Sequence, residues 1–138
     1  MGRRKAREIS FKCIYKLAYG QAVMENKDTA IFNITEDNDE EVTGEDKIFI
    51  ADLIEGISTN LENIDSLILS KLKNWTIDRI FKVDLAILRM AVYELEYTDV
   101  PFKVAINESI EIVKKYGDEK SPSFVNGVLR EIVADREN

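Results

Sequence analysis

The chain has 138 residues, 45% of them apolar, and a formal net charge of −7. That length allows one domain or two small subdomains sharing a core, and the composition is that of a globular rather than a disordered protein. The sequence holds no histidine and a single cysteine, which argues against a zinc centre and rules out an internal disulfide.

The spacing predicts a helix over residues 3–19. Phe11, Ile14, Leu17 and Ala18 form one apolar stripe, and Lys5, Lys12 and Lys16 share another face. Residues 1–16 set Arg3, Arg4, Lys5, Arg7, Lys12 and Lys16 against Glu8 alone, so a basic end opens an acidic chain. Those charges stand where the apolar stretch of a signal peptide would lie, and the expected location is the cytoplasm. Arg3 and Arg7 fall near the azimuth of Ile14 and Ala18. An arginine there cannot stay unpaired in a core, so this end is expected to project beyond the bundle or to fray until a partner orders it. Basic residues in a first turn also oppose the helix dipole. Cys13, among Ile9, Ile14 and Leu17, reads as a buried structural thiol.

Ala30, Ile31, Phe32 and Ile34 suggest a brief helix, and residues 35–46 an acidic loop. Thr43-Gly44-Glu45-Asp46 resembles a capping box with Asp in the Glu position. After it, Ile50, Leu53, Ile57, Leu61, Ile64 and Ile68 recur every three or four residues, which predicts one long helix over 45–72, weakened at Gly56 and Ser58-Thr59-Asn60. Thr76 is placed to cap a short turn over 77–81. Val83–Leu95 is apolar nearly all round and far shorter than the ~20 residues that span a membrane, so it reads as the central, buried helix. Val100-Pro101 is expected to end it. A helix over 104–116 follows, with Gly117 as its C′ residue. Ser121-Pro122 supplies an N-cap and a first-turn proline for the last helix, which carries Phe124, Val125, Val128, Leu129, Ile132 and Val133. With two prolines, six glycines and few alternating runs, the fold class is all-α.

No phosphate-binding loop, dinucleotide fingerprint or nucleophile elbow occurs. Glu108 and Glu111 have the spacing of an ordinary solvated face, and Asn107 and Asn126 read as tertiary hydrogen-bonding residues. No catalytic residue, metal or cofactor is therefore expected, and the chain reads as a binding protein. Lys114, Lys115 and Lys120 surround Tyr116 and Phe124. Rings of this kind stack on unpaired bases while lysines hold phosphates; the alternative is that both rings are core.

In four stretches the sequence resembles the NusB family of bacterial transcription antitermination factors: R-R-K-A-R-E at 3–8, D-L-A-I-L-R-M-A-V-Y-E-L at 84–95, V-P-F-K-V-A-I-N-E-S-I-E at 100–111 and F-V-N-G-V-L at 124–129. The resemblance implies two small helical bundles packed across each other, an N-terminal subdomain over 1–74 and a C-terminal one over 75–138. It implies binding of single-stranded boxA-type RNA from ribosomal RNA leader transcripts, together with NusE, which is also a small-subunit ribosomal protein, within an RNA polymerase antitermination complex. Some relatives self-associate, which admits a homodimer; no membrane partner is implied.

Carried over residue by residue, the RNA-binding set is Arg3, Arg4, Lys5, Arg7, Tyr116, Lys120 and Phe124, and Asp84 is the candidate for the NusE-facing surface. Four basic residues at the leading end imply a salt slope near −3, from ~0.7 per neutralised phosphate. Losing Arg4 and Arg7 together is then expected to weaken RNA binding and spare stability. The rival reading, a protein–protein adaptor that never touches RNA, expects these arginines to be paired with carboxylates of the same chain. A detached RNA-binding domain of an RNA methyltransferase is a third, weaker reading.

Overall fold

The computed structural model describes residues 3–17 and 43–137. The short helix expected at Ala30–Ile34, and the acidic loop up to residue 42, lie outside them. Six α-helices are described: α1 (Arg3–Leu17), α2 (Gly44–Thr59), α3 (Leu61–Leu69), α4 (Lys82–Tyr97), α5 (Phe102–Tyr116) and α6 (Ser121–Glu137). None is long and apolar enough to cross a membrane.

Everything packs on α4. This helix touches each of the other five, as its sequence requires: residues 83–92 are buried on every side. The α2–α3 seam lies against it through Ile50, Ile57, Ile64 and Ile68, all essentially inaccessible. The capping box forms as expected: the Thr43 hydroxyl accepts from the Asp46 N–H at 3.1 Å, and Asp46 accepts from the Thr43 N–H at 3.3 Å.

The single helix expected over 45–72 is instead two. At Asn60 the backbone leaves helical geometry, and both its N–H and its side-chain amide donate to the Gly56 carbonyl. Gly56 itself is needed for space: a Cβ there would fall 2.2 Å from the Tyr93 ring on α4. The wheel found the apolar seam; an asparagine competing for a helical carbonyl split it.

Other boundaries move for equally local reasons. Thr98 ends α4 three residues before Pro101, its hydroxyl donating to the Glu94 carbonyl at 2.7 Å. Pro101 instead begins α5, as its N-cap. Thr76 occupies the cap position of a 3₁₀ turn over Ile77–Arg79, but its hydroxyl accepts no backbone N–H there. Gly117 does not take the left-handed conformation of a C′ glycine; its φ is −88°. Space again explains it, since a Cβ would lie 2.6 Å from Ser121 and 2.9 Å from the Val113 carbonyl. The start of α6 is capped by Asp118 rather than Ser121: its carboxylate accepts from the Lys120 and Ser121 N–H groups at 2.9 and 3.0 Å.

The first helix departs most from expectation. It neither projects nor frays, but packs on α2 and α4. Ala6, Ile9, Cys13 and Ile14 are fully enclosed, and burial pushes the Cys13 thiol up to about 12, consistent with an inert structural thiol. Arg7 goes in with them. Its guanidinium grips the Glu94 carboxylate of α4 with two bonds of 2.8 and 2.9 Å, and both side chains are almost wholly buried. The rule that an unpaired arginine cannot enter a core holds; here the core supplies the partner. A second fork, Arg89 to Asp65 at 2.9 and 2.8 Å, ties α4 to α3.

Losing one member of a buried pair strands the other charge, at about 3–5 kcal/mol. Arg7→Ala is therefore expected to lower unfolding stability by that amount in urea titration, rather than to spare it. Arg7→Leu combined with Glu94→Leu should recover most of the loss, because no charge is left stranded.

Candidate nucleic-acid interface

The pinning of α1 decides what its remaining cations face. One turn before Arg7 on the exposed side, Arg3 lays its guanidinium over the Phe49 ring of α2, 4.4 Å from the centroid. Arg4 reaches α5, where its Nε and Nη2 donate to the two Glu108 oxygens at 2.6 and 3.4 Å. Its side chain remains 61% exposed. Glu108 is thus the acceptor of a cross-helix pair, not part of an idle solvated face. Lys5 is half-buried beside Glu8, whose carboxylate its charge helps to stabilise.

Glu8 fastens α1 to the end of α5. The Lys115 ammonium donates to it at 2.7 Å, and the Tyr116 hydroxyl donates to the same oxygen. Burial pushes the Glu8 carboxyl up, but these hydrogen bonds and the nearby Lys5 charge outweigh it and leave it below the ordinary glutamate value. Burial and the bond to Glu8 push the Tyr116 phenol up to about 12. The Tyr116 ring is half-buried. It packs against Phe11 with centroids 5.0 Å apart, and the Lys12 and Lys115 ammonium groups stand 5.9 and 5.5 Å from its centroid.

The structure therefore brings Arg4, Lys5, Lys12, Lys115 and Tyr116 into one neighbourhood, with a cleft of about 410 Å³ lined by Arg4, Glu8, Glu111, Ile112, Lys114 and Lys115. Arg7 does not line it, being buried against Glu94. Lys120 is exposed in the α5–α6 turn, four residues beyond the end of α5. Phe124 is half-buried, and its ring pairs with Trp75 at 6.1 Å rather than with Tyr116. Asn107 is exposed, and Asn126 accepts from Arg130 of its own helix at 3.4 Å; among the described residues neither shows the tertiary hydrogen bond expected of it.

Asp84 is not the surface residue it was expected to be. It lies buried in the first turn of α4, facing Ser121 and Asp118 at the start of α6, and its Oδ1 has no hydrogen-bond partner among the described residues. What the surface does show beside it are Trp75 and Phe81, 43% and 49% exposed. Their exposure has no signal in periodicity: Trp75 precedes the cap of the short turn expected over 77–81, and Phe81 ends that turn, ahead of the apolar run. By contrast, Glu94 had one: a carboxylate inside the apolar run Val83–Leu95, in the last turn of the central helix, calls for a cation, and Arg7 was the cation out of place.

Burial pushes Asp84 above the ordinary aspartate value of 3.8, as does the charge of Asp118, and Ser121 offsets only part of this. A carboxyl raised in the folded state costs stability once pH rises through its folded value. Asp84→Asn should raise the melting temperature at pH 7, and the gain should shrink as pH falls toward 4; calorimetry at both pH values measures it.

A sequence model of the NusB family matches residues 4–134. The transcription antitermination protein NusB of Listeria monocytogenes serotype 4a is 43% identical over 98% of both chains. The solved structure of T. maritima NusB is 36% identical, with a TM-score of 0.79 over 98% of this chain and 92% of that one. The crystal structure of antitermination factors NusB and NusE in complex with double-stranded RNA matches at 28% identity and a TM-score of 0.83, over 96% of each chain. The resemblance read from four short motifs thus extends along the whole helical scaffold, and this chain belongs to the NusB family of non-catalytic transcription antitermination proteins.

Proposed function

We propose that the chain binds boxA-type single-stranded RNA of ribosomal RNA leader transcripts jointly with NusE, in the cytoplasm, as part of an RNA polymerase antitermination complex. The observation that carries this reading is the Glu8 clasp. By tying Lys115 and Tyr116 to α1 it sets cations of the leading helix beside those at the end of α5. Such a cluster holds phosphates along a strand, and its flanking ring meets bases only where they are unpaired. Family membership, and a relative solved with NusE and double-stranded RNA, support NusE and RNA as partner classes.

Arg7 leaves the RNA-contacting set, because reaching a phosphate would break its buried pair with Glu94. With Arg3, Arg4 and Lys5 remaining at that end, the expected salt slope falls to about −2, at ~0.7 per phosphate. The modest slope and the acidic remainder of the chain make the RNA complex weak alone and dependent on NusE.

For NusE the surface favoured is the aromatic rim around Asp84. Trp75 and Phe81 stand exposed, and Phe124 joins them through its contact with Trp75. Asp84, three residues after Phe81, is buried in the first turn of α4 behind Phe81 and is not itself offered to the partner.

The adaptor reading gains one specific observation: Arg7 and Arg4 are both paired within the chain. The two pairs differ, since Arg7 is enclosed while Arg4 stays open to solvent, and an exposed pair is worth little enough for a phosphate to displace it.

Titrating boxA RNA and a duplex of the same sequence, with and without NusE, at two salt concentrations separates the readings. Binding of the single strand, strengthened by NusE, is expected; no RNA binding in either condition would leave the adaptor reading. Arg3→Ala with Arg4→Ala should weaken RNA binding and flatten the salt slope by about 1.4, with the melting temperature nearly unchanged. Trp75→Ser or Phe81→Ser should weaken NusE binding about tenfold or more, as loss of an exposed aromatic anchor does, and leave RNA binding by the free protein intact. Isothermal titration of each variant with NusE checks this.

A further inference from the structure

The cations of the α1–α5 cleft do not stand open. Arg4 is forked onto Glu108, Lys115 onto Glu8, and Lys114 lies 3.9 Å from Glu111. The three carboxylates differ in what else holds them. Glu8 is buried and also accepts from Tyr116, so it is structural. The Lys114–Glu111 contact is loose, between two exposed residues on one helix. Glu108 alone offers both oxygens to a guanidinium that projects into solvent from another helix, while its own side chain is only 20% exposed. Two parallel N–H donors onto two oxygens is also the way an arginine takes a phosphate.

We propose that Glu108 occupies the phosphate position on Arg4, and that an RNA phosphate must displace it for Arg4 to engage. This rests on the RNA reading above and deepens it. Glu108 is a positioning residue. It holds the Arg4 fork extended toward α5, ready for an oxyanion, and it raises the threshold that any polyanion must overcome. A lone phosphate gains little by replacing a carboxylate of similar geometry. A strand that also contributes further phosphates and a stacked base gains enough.

The test is a double-mutant cycle on the full chain, read by titration with a fluorescent single-stranded boxA-type RNA. Glu108→Gln should tighten binding about three- to fivefold, the ceiling being what an exposed ion pair is worth. In the Arg4→Ala background the same substitution should give no gain, because there is no longer a fork to release. Glu111→Gln removes the same charge one turn away and should have a clearly smaller effect than Glu108→Gln. Glu108→Asp, which draws the carboxylate back by one methylene, should give a partial gain, and serves as the second probe if the Gln variant folds poorly.

RNA binding by the unmodified chain with no gain in either Glu108 variant would overturn this inference and leave the RNA reading standing. An equal gain with and without Arg4 would also overturn it, reducing Glu108 to general repulsion. Failure of the unmodified chain to bind RNA, alone or with NusE, would overturn both.

Discussion

Arg7 and Glu94 enter the core only because they enter it together. Each alone would leave a bare charge among apolar side chains, and neither helix carries another group that could neutralise it there. The fork between them fixes the rotation and the register of α1 on α4. A one-residue slip would replace Arg7 with Ala6 or Glu8 opposite Glu94, stranding a carboxylate in either case. The geometry of the cationic face follows from this single constraint.

With α1 held at Arg7, its neighbours on either side meet set partners. Arg3 meets Phe49, Arg4 meets Glu108, and Glu8 meets Lys115 and Tyr116. The outcome is a face in which the described cations of the cleft alternate with carboxylates rather than forming a plain basic patch. Such a face has little long-range pull on a polyanion but is well placed once one arrives, since Arg4 and Lys115 are already held by carboxylates. On another part of the molecule, the start of α4 couples an enclosed and incompletely paired carboxylate to two exposed rings. The central helix thus serves two surfaces: its Glu94 end orders the cationic face, and its Asp84 end sits behind the aromatic one.

The all-α class and the central position of α4 were legible from composition and from the apolar run at Val83–Leu95. The capping box at Thr43 and the α2–α3 seam were legible too. The breaks were harder. Asn60 splits a seam whose periodicity continues straight through it, and Pro101 starts a helix where it was expected to stop one. Gly56 and Gly117 are glycines because of neighbours distant in the chain or in the next helix, Tyr93 and Ser121, and no local rule shows that. For the site, the cluster of basic residues at the leading end and the lysines around Tyr116 were visible. Their pairing was not: Glu8 and Glu108 are ordinary carboxylates until folding sets them against particular cations, and Glu94, inside an apolar run, called for a cation without saying which.

By itself the sequence determined which surfaces could be buried and which charges the chain had to place, because hydrophobic periodicity and residue type are properties of short segments. Only the tertiary structure decided which arginine would be spent inside and which left at the surface. Arg4 and Arg7 are three residues apart on one helix and chemically identical. What separates them is that Arg7 faces α4 at Glu94 and Arg4 faces α5 at Glu108, and the solvent is excluded from the first meeting and not from the second.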